Sequence, residues 1–143
     1  MTRQAVIVCV VLNLIAGFLG AAAGLSIGSP RTDVPVLRVV DGDTVVVVAE
    51  GKPMWVRIAA IDAPERGEPG GAESAAQLEA ILRGKTIRLS FEGIPAKRWV
   101  FGQPVDPFGR LLAHVEAEFL GERADVGQVM IDAGHAVAWP EKE

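Results

Sequence analysis

The stretch from Val39 to Glu65, VVDGDTVVVVAEGKPMWVRIAAIDAPE, decides both the fold and the chemistry of this chain. It holds two apolar runs, Thr44 to Ala49 and Met54 to Ile61, joined by the turn sequence Gly-Lys-Pro. This arrangement predicts a β-hairpin. The first run is too apolar for simple alternation, so we expect both of its faces to be covered.

Acidic residues lie at the ends of both runs. Asp41 and Asp43 precede the first run, and Asp62 and Glu65 follow the second. A sheet can bring such strand ends together, and carboxylate oxygens are the ligands that Ca²⁺ and Mg²⁺ prefer. Arg57 lies inside the second run, where a buried arginine needs an anionic partner or a ligand. The pattern therefore predicts a divalent-cation site beside a guanidinium group that binds phosphate.

Composition limits the kinds of site that the chain can build. Its 143 residues include 14 basic and 18 acidic ones, a net charge of −4 that disfavours nonspecific binding along nucleic acid. Phosphate recognition must then be local. The single cysteine, Cys9, lies in an apolar N-terminal segment, so we expect neither a disulfide nor a thiolate metal site in the domain. Only His114 and His135 offer imidazole, which favours calcium or magnesium over zinc.

The N-terminal segment is the most apolar part of the chain. Residues 4–30 carry no charge, and Ala5 to Gly28 is long enough to span a bilayer as a helix. We therefore assign residues 1–28 to a transmembrane anchor; the alternative is a signal peptide cleaved near Ala21-Ala22-Ala23. Either assignment keeps the positive N-terminus in the cytoplasm and the domain extracytoplasmic, as a single-pass anchored or a secreted protein.

The remainder divides into a linker, residues 29–35, and one domain, residues 36–143. Five segments have the composition or alternation of strands: Val36 to Val40, Thr44 to Ala49, Met54 to Ile61, Lys85 to Glu92 and Arg110 to Glu118. Two amphipathic segments predict helices, one near Ala72 to Arg83 and one capped by Asp125 and ended by Gly134. Ala136 to Trp139 could add a short last strand, and Gly93 to Gly109 is a loop or small hairpin.

This order of elements predicts an α+β fold. Short strands in sequence, with a helix before the fourth, suit an OB-type five-stranded β-barrel with two to three helices, preceded by the N-terminal hydrophobic helix. Met54 and Trp55 are expected in the core. Arg57 and Asp62 are an odd number of residues apart, so a straight strand would place them on opposite faces. We therefore expect a bend, or Asp62 in the following turn.

The acidic residues and arginines suit phosphodiester hydrolysis when they are taken together. Asp43 and Asp62 can supply two oxygen ligands, with a backbone carbonyl near Ala63 as a third. Glu65 can hold a water molecule as general base. Each motif alone also has a purely structural explanation, because Asp-Gly is ordinary turn chemistry.

Two arginines complete this set. Arg57 and Arg110 can both direct their guanidinium forks to one phosphate. Charge neutralisation, an activated water and stabilisation of the extra equatorial charge are what phosphodiester hydrolysis needs.

Three motifs, D-G-D-T, R-x-x-x-x-D-x-P-E and D-x-F-G-R, occur here in an order and spacing that closely resemble the staphylococcal nuclease (thermonuclease) family. The resemblance covers about Val36 to Trp139. It implies an OB-type barrel and calcium-dependent hydrolysis of DNA and RNA, with single-stranded DNA or RNA as substrate. By position it implies Ca²⁺ ligands at Asp43, Asp62 and the carbonyl of Ala63, an acid behind them at Asp41, a general base at Glu65, and transition-state arginines at Arg57 and Arg110.

One departure from that family concerns the nucleotide pocket. Family members use tyrosines there, and this chain has no tyrosine. Phe108 or Trp139 would then stack on a base.

Two other functions are compatible with the sequence. The first is a catalytically silent OB-fold module that binds nucleic acid or a partner at the membrane. The second is a calcium-stabilised structural domain with Trp99 to Phe101 as its contact surface. No particular protein partner can be predicted.

Overall fold

The computed structural model describes residues 31–96, 98–100 and 103–139. Within these ranges the strands are β1 (Arg31–Asp41), β2 (Thr44–Ala49), β3 (Lys52–Ile58), β4 (Ile61–Asp62), β5 (Thr86–Ser90), β6 (Arg98–Val100), β7 (Gln103–Val105), β8 (Leu111–Phe119), β9 (Glu122–Asp125) and β10 (Val137–Ala138). The helices are α1 (Gly71–Leu82) and α2 (Val126–Asp132). The anchor or signal peptide predicted at residues 1–28 lies outside the described residues. No helix in the described part is long and apolar enough to cross a membrane.

Five strands close into a barrel, which confirms the predicted OB-type α+β fold. β1 pairs with β2 and β5, β2 pairs with β3, and β5 pairs with β8, all antiparallel. The barrel closes where β3 runs parallel to β8, with Val56 opposite Leu111 and Ile58 opposite Ala113. The hairpin of β6 and β7 continues the sheet from the start of β8, and β9 pairs with its end. The short strands β4 and β10 pair with each other.

β1 bends, and this lets one strand serve two neighbours. Its first half, Arg31–Pro35, pairs with β5, and its second half pairs with β2. The register with β2 shifts between Val36 and Arg38 and again between Val39 and Asp41. Such irregularities curve a strand and increase its twist, as closure of a small barrel requires.

The first half of β1 lies where the sequence predicted a linker. Pro30 and Pro35 flank this segment, and proline disfavours a strand interior, which is why the sequence indicated a linker. Two non-local contacts nevertheless fix the segment to β5. Val34 is buried in the core. Asp33 accepts two hydrogen bonds from Arg88 directly opposite it, at 2.8 and 3.1 Å, and these hold the pKa of Asp33 below its ordinary value. Neither contact is visible in a local sequence pattern.

The residues that sequence periodicity predicted to be buried fill the barrel interior. β2 is covered on both faces, as predicted, and its run Val45–Val47 is at most 1% exposed. The apolar face of α1 and the inward side of β8 are also confirmed, by the burial of Ala75, Leu78, Leu82, Leu111, Ala113, Val115 and Ala117. Gly84 ends α1 with a φ of 69°, and the predicted cap of α2 is present, since the Asp125 carboxylate accepts from the Gln128 amide at 2.9 Å.

The prediction that Trp55 lies in the core was wrong. Trp55 is 39% exposed, whereas Met54 and Val56 on either side of it are buried. Successive side chains along β3 point alternately into the core and toward solvent. Hydrophobicity alone does not indicate which of two adjacent apolar residues points into the core. The guanidinium of Arg38 covers the Trp55 ring, 5.2 Å from its centre.

Gly42 lies where α1 comes closest to the turn between β1 and β2. A Cβ atom at this position would lie 1.8 Å from the Ser74 hydroxyl oxygen and 2.8 Å from the Ala63 Cβ. Ser74 is fully buried and donates to the carbonyl of His135 at 2.7 Å, so its hydroxyl has a fixed place. The close approach therefore requires glycine.

We expect Gly42→Ala to lower the free energy of unfolding by about 1–3 kcal/mol, the usual cost of overpacking a filled site. Urea denaturation followed by circular dichroism measures it. Gly67→Ala is the matched control, because a Cβ there meets nothing within 4 Å. Equal stability of the two variants would show that α1 does not pack on the turn as described.

Candidate active site

Two short turns bring four of the predicted site residues together. Asp41 and Asp43 flank the turn from β1 to β2, Arg57 lies near the end of β3, and Asp62 lies in β4. Between β3 and β4 the chain turns at Ala60, whose φ is 65°. This is the bend that the spacing of Arg57 and Asp62 required, and it places both on the same side.

Arg57 is the centre of the site. Its Nη1 donates to the carbonyls of Ile58 at 2.7 Å and Ile61 at 2.8 Å. Its Nη2 lies 3.2 Å from Oδ2 of Asp43 and 3.4 Å from Oδ1 of Asp62. The two carboxylates predicted to bind a cation therefore converge on one guanidinium nitrogen.

Asp43 is connected to the other predicted residues through both of its oxygens. Oδ2 accepts the backbone N–H of Ala63 at 3.0 Å, and Oδ1 accepts the hydroxyl of Thr44 at 3.0 Å. The Thr44 hydroxyl oxygen in turn accepts from Nη1 of Arg110 at 3.1 Å. Thr44 thus links the second predicted arginine to the first predicted metal ligand.

Arg110 is held in place by Asp106. The buried Asp106 carboxylate accepts the backbone N–H groups of Phe108 and Arg110, both at 2.9 Å, and a short hydrogen bond from Nε of Arg110. The Arg110 guanidinium also lies over the Phe108 ring, 5.5 Å from its centre. These contacts fix the direction of the guanidinium group.

Sequence reasoning gave no role to Thr44 or Asp106. Thr44 looked like an ordinary β-branched strand residue, and Asp106 like a turn former. Their positions in the sequence were the available signal. Thr44 directly follows a predicted metal ligand, and Asp106 lies four residues before a predicted phosphate-binding arginine.

A cleft of about 740 Å³ opens beside these side chains. Five of the predicted site residues line it: Arg57, Asp62, Phe108, Arg110 and Trp139. Phe108 is 71% exposed and Trp139 is 48% exposed, so both rings present area to solvent. The backbone N–H of Trp139 donates to the carbonyl of Ala60 at 2.9 Å, which fixes the end of the chain described here against the turn of the site. The predicted stacking residues and the predicted phosphate-binding arginines therefore share one cleft.

Four predicted site residues are not among those that line this cleft: Asp41, Asp43, Ala63 and Glu65. Asp41 is half-buried and accepts the backbone N–H of Asp43 at 3.3 Å; burial first, then the hydrogen bond and charge of Asp43, raise the pKa of Asp41 to about 6. Glu65 follows two residues after Ala63 and is exposed. Its backbone N–H donates to the Glu68 carboxylate at 3.2 Å, and this turn leaves the Glu65 side chain in solvent.

The carboxylates suit a hard cation but do not enclose one by themselves. Across residues 31–96, 98–100 and 103–139, no three carboxylate, imidazole or thiolate side chains are grouped as a metal site. The predicted calcium ligands include only two carboxylate side chains, those of Asp43 and Asp62. Oxygens of both already lie next to one nitrogen of Arg57. Carboxylates, a backbone carbonyl and water are an ordinary calcium shell, so the donor chemistry fits Ca²⁺.

No family profile matches the chain. An uncharacterized endonuclease of Escherichia coli O157:H7 is 33% identical over 101 residues, which cover 71% of this chain and 57% of that protein. A thermonuclease of Staphylococcus hyicus is 32% identical over 100 residues, 66% of this chain and 53% of its own length. A micrococcal nuclease of Shigella flexneri is 28% identical over 109 residues, 73% of this chain and 56% of its own length. This chain therefore spans little more than half the length of these relatives.

The sequence matches and the closed barrel agree with each other. On these grounds the chain belongs to the staphylococcal nuclease-like (thermonuclease) family.

Proposed function

We propose that this protein is a calcium-dependent nuclease that hydrolyses phosphodiester bonds of DNA or RNA, with single-stranded substrates. One observation carries the proposal: Asp43 and Asp62 meet at Arg57, and Arg110 joins them through Thr44 beside an open cleft. The nuclease names of the relatives support the same reaction class.

The two carboxylates and a backbone carbonyl would hold the cation. Asp43, Asp62 and the carbonyl of Ala63 are the groups concerned, and bound Ca²⁺ would neutralise charge on the phosphate that is attacked. Both carboxylates already share a positively charged partner, since Nη2 of Arg57 lies 3.2 Å from Asp43 and 3.4 Å from Asp62.

The two arginines supply fixed positive charge to a bound phosphate. Nε of Arg110 donates to Asp106 and Nη1 donates to Thr44, whereas Nη2 makes no hydrogen bond within the described part of the chain. That group can donate to a phosphate oxygen without disturbing the others. Arg57 is held rigidly by two carbonyls. Donors fixed before the reaction stabilise the extra charge of the transition state without reorganising.

Glu65 is the candidate general base. Glu65 is exposed and lies two residues after Ala63, so water can reach its side chain. As a carboxylate it can accept the proton of an attacking water molecule while the arginines hold the phosphate.

We predict that Glu65→Gln lowers kcat by about 10²- to 10⁴-fold, because the amide keeps the shape but accepts no proton. The assay follows a labelled single-stranded oligonucleotide at about 10⁻³ M calcium or more, since extracellular calcium modules bind this weakly. Glu118→Gln, an exposed glutamate on β8, is the matched control and should leave the rate unchanged. Chelation of calcium should stop cleavage by the wild-type protein.

Three outcomes would change this account. If Glu65→Gln cleaves at the wild-type rate, Glu65 is not the general base. If cleavage continues after calcium is chelated, the reaction does not require the cation. Binding of the oligonucleotide without any product at saturating calcium would select the catalytically silent OB-fold module instead.

We also propose that residues 1–28 anchor the domain on the extracytoplasmic side of a membrane, on the basis of the uncharged stretch from Ala5 to Gly28. Cell fractionation should recover the full-length protein in washed membranes, with the domain open to protease from outside the cytoplasm. A shortened protein in the extracytoplasmic fluid would mean a cleaved signal peptide. Recovery in the cytoplasm would contradict both assignments.

A further inference from the structure

The hairpin of β6 and β7 adds a third arginine to the cleft. Arg98 on β6 lines the same cleft as Arg57 and Arg110. It lies opposite Val105 on β7, and Val105 lies opposite Leu111 on β8. Because neighbouring strands are about 4.8 Å apart, the backbone of Arg98 lies about 10 Å from that of Leu111, the residue after Arg110.

Arg98 differs from the other two arginines in its partners. Arg57 and Arg110 are each paired with aspartates of the protein. Arg98 is exposed, and its side chain makes no hydrogen bond or ion pair to any residue that the structure describes. The lining contains three arginines and two aspartates, and Asp43 adds a third carboxylate beside Arg57. Arg98 is thus the arginine of this lining that has no aspartate partner among the described residues. Arg98 is therefore the uncompensated charge that attracts an anion.

The same cleft offers flat apolar surfaces. Phe108 and Trp139 line it with their rings largely exposed, and Pro95, Ala96 and Leu112 complete an apolar wall. Aromatic rings of this kind stack on bases that are not paired in a duplex. Alternating cationic and aromatic groups suit a single strand, in which phosphates and bases are both accessible.

We propose that Arg98 binds a second phosphate of a single-stranded nucleic acid, adjacent to the phosphate held by Arg57 and Arg110. The inference rests on the proposed function and specifies its substrate as a strand with at least two consecutive phosphates. Arg98 contacts the flanking phosphate and not the bond that breaks. It therefore contributes affinity for longer substrates and leaves the rate of the chemical step unchanged.

The test compares Arg98→Gln with Arg83→Gln, which removes an equal charge from the exposed end of α1, away from the cleft. Each protein is assayed on a single-stranded oligonucleotide and on a dinucleoside monophosphate that has only one phosphodiester. We expect Arg98→Gln to raise KM for the oligonucleotide about 10-fold, as loss of one hydrogen bond to a charged group predicts. Its kcat, and its kinetics on the one-phosphate substrate, should match those of Arg83→Gln. The slope of log KM against log salt should fall by about 0.7.

Failure of this inference is distinguishable from failure of the nuclease proposal. Equal KM values and equal salt slopes for the two variants, with cleavage intact, would overturn the second phosphate site alone. If no protein cleaves, fluorescence anisotropy of the labelled oligonucleotide decides the question. Weaker binding with a lower salt slope for Arg98→Gln alone would support the site, and equal binding by both variants, or no binding at all, would overturn it.

Discussion

The guanidinium of Arg57 joins the three segments that carry the candidate site. Its Nη1 ties the end of β3 to β4 through the carbonyls of Ile58 and Ile61, and its Nη2 lies between the carboxylates of Asp43 and Asp62. A largely buried guanidinium without these acceptors would be destabilising, and two carboxylates this close without positive charge would repel each other. The guanidinium and the two carboxylates therefore require one another. Their contacts favour one arrangement of the three segments that carry them, which are the turn after β1, the end of β3, and β4. The same arrangement makes a place where a cation and a phosphate can meet.

Barrel closure explains why two arginines far apart in the chain share one cleft. β3 and β8 run parallel, and the register places Arg57 opposite Leu112, two residues after Arg110. Thr44, at the start of β2, is paired with Arg57 on the other side of β3 and reaches Arg110 through its hydroxyl. The backbone pairing of the barrel thus sets the spacing of the charged groups, while the turns at the strand ends hold their side chains.

Sequence patterns predicted the parts of this molecule that follow local rules, and missed those that depend on distant partners. Periodicity was sufficient for the buried face of α1 and the inward side of β8, since each needs only the spacing of apolar residues. The exposure of Trp55 and the strand before Val36 were not predictable in this way, because they depend on which neighbouring strand the residue meets. Among the motif residues, Arg57, Asp62 and Arg110 line the cleft, whereas Asp43 and Glu65 do not. The role of Thr44 emerged only from its contacts, because a threonine in a strand has a sufficient local explanation. The place of Arg98 in the cleft depends on how β6 and β7 pair, which a local pattern does not predict.

The account depends most directly on whether the two carboxylates that meet at Arg57 bind calcium. Calorimetric titration of Ca²⁺ into the protein tests this without reference to activity. Wild-type protein should bind one calcium with a Kd of about 10⁻⁴ to 10⁻³ M, the range of extracellular calcium modules. Asp43→Asn and Asp62→Asn should each abolish measurable binding, and Asp33→Asn, which changes an exposed aspartate on β1, should keep it. Undiminished binding by the Asp43 and Asp62 variants, or no binding by the wild type, would contradict the central claim.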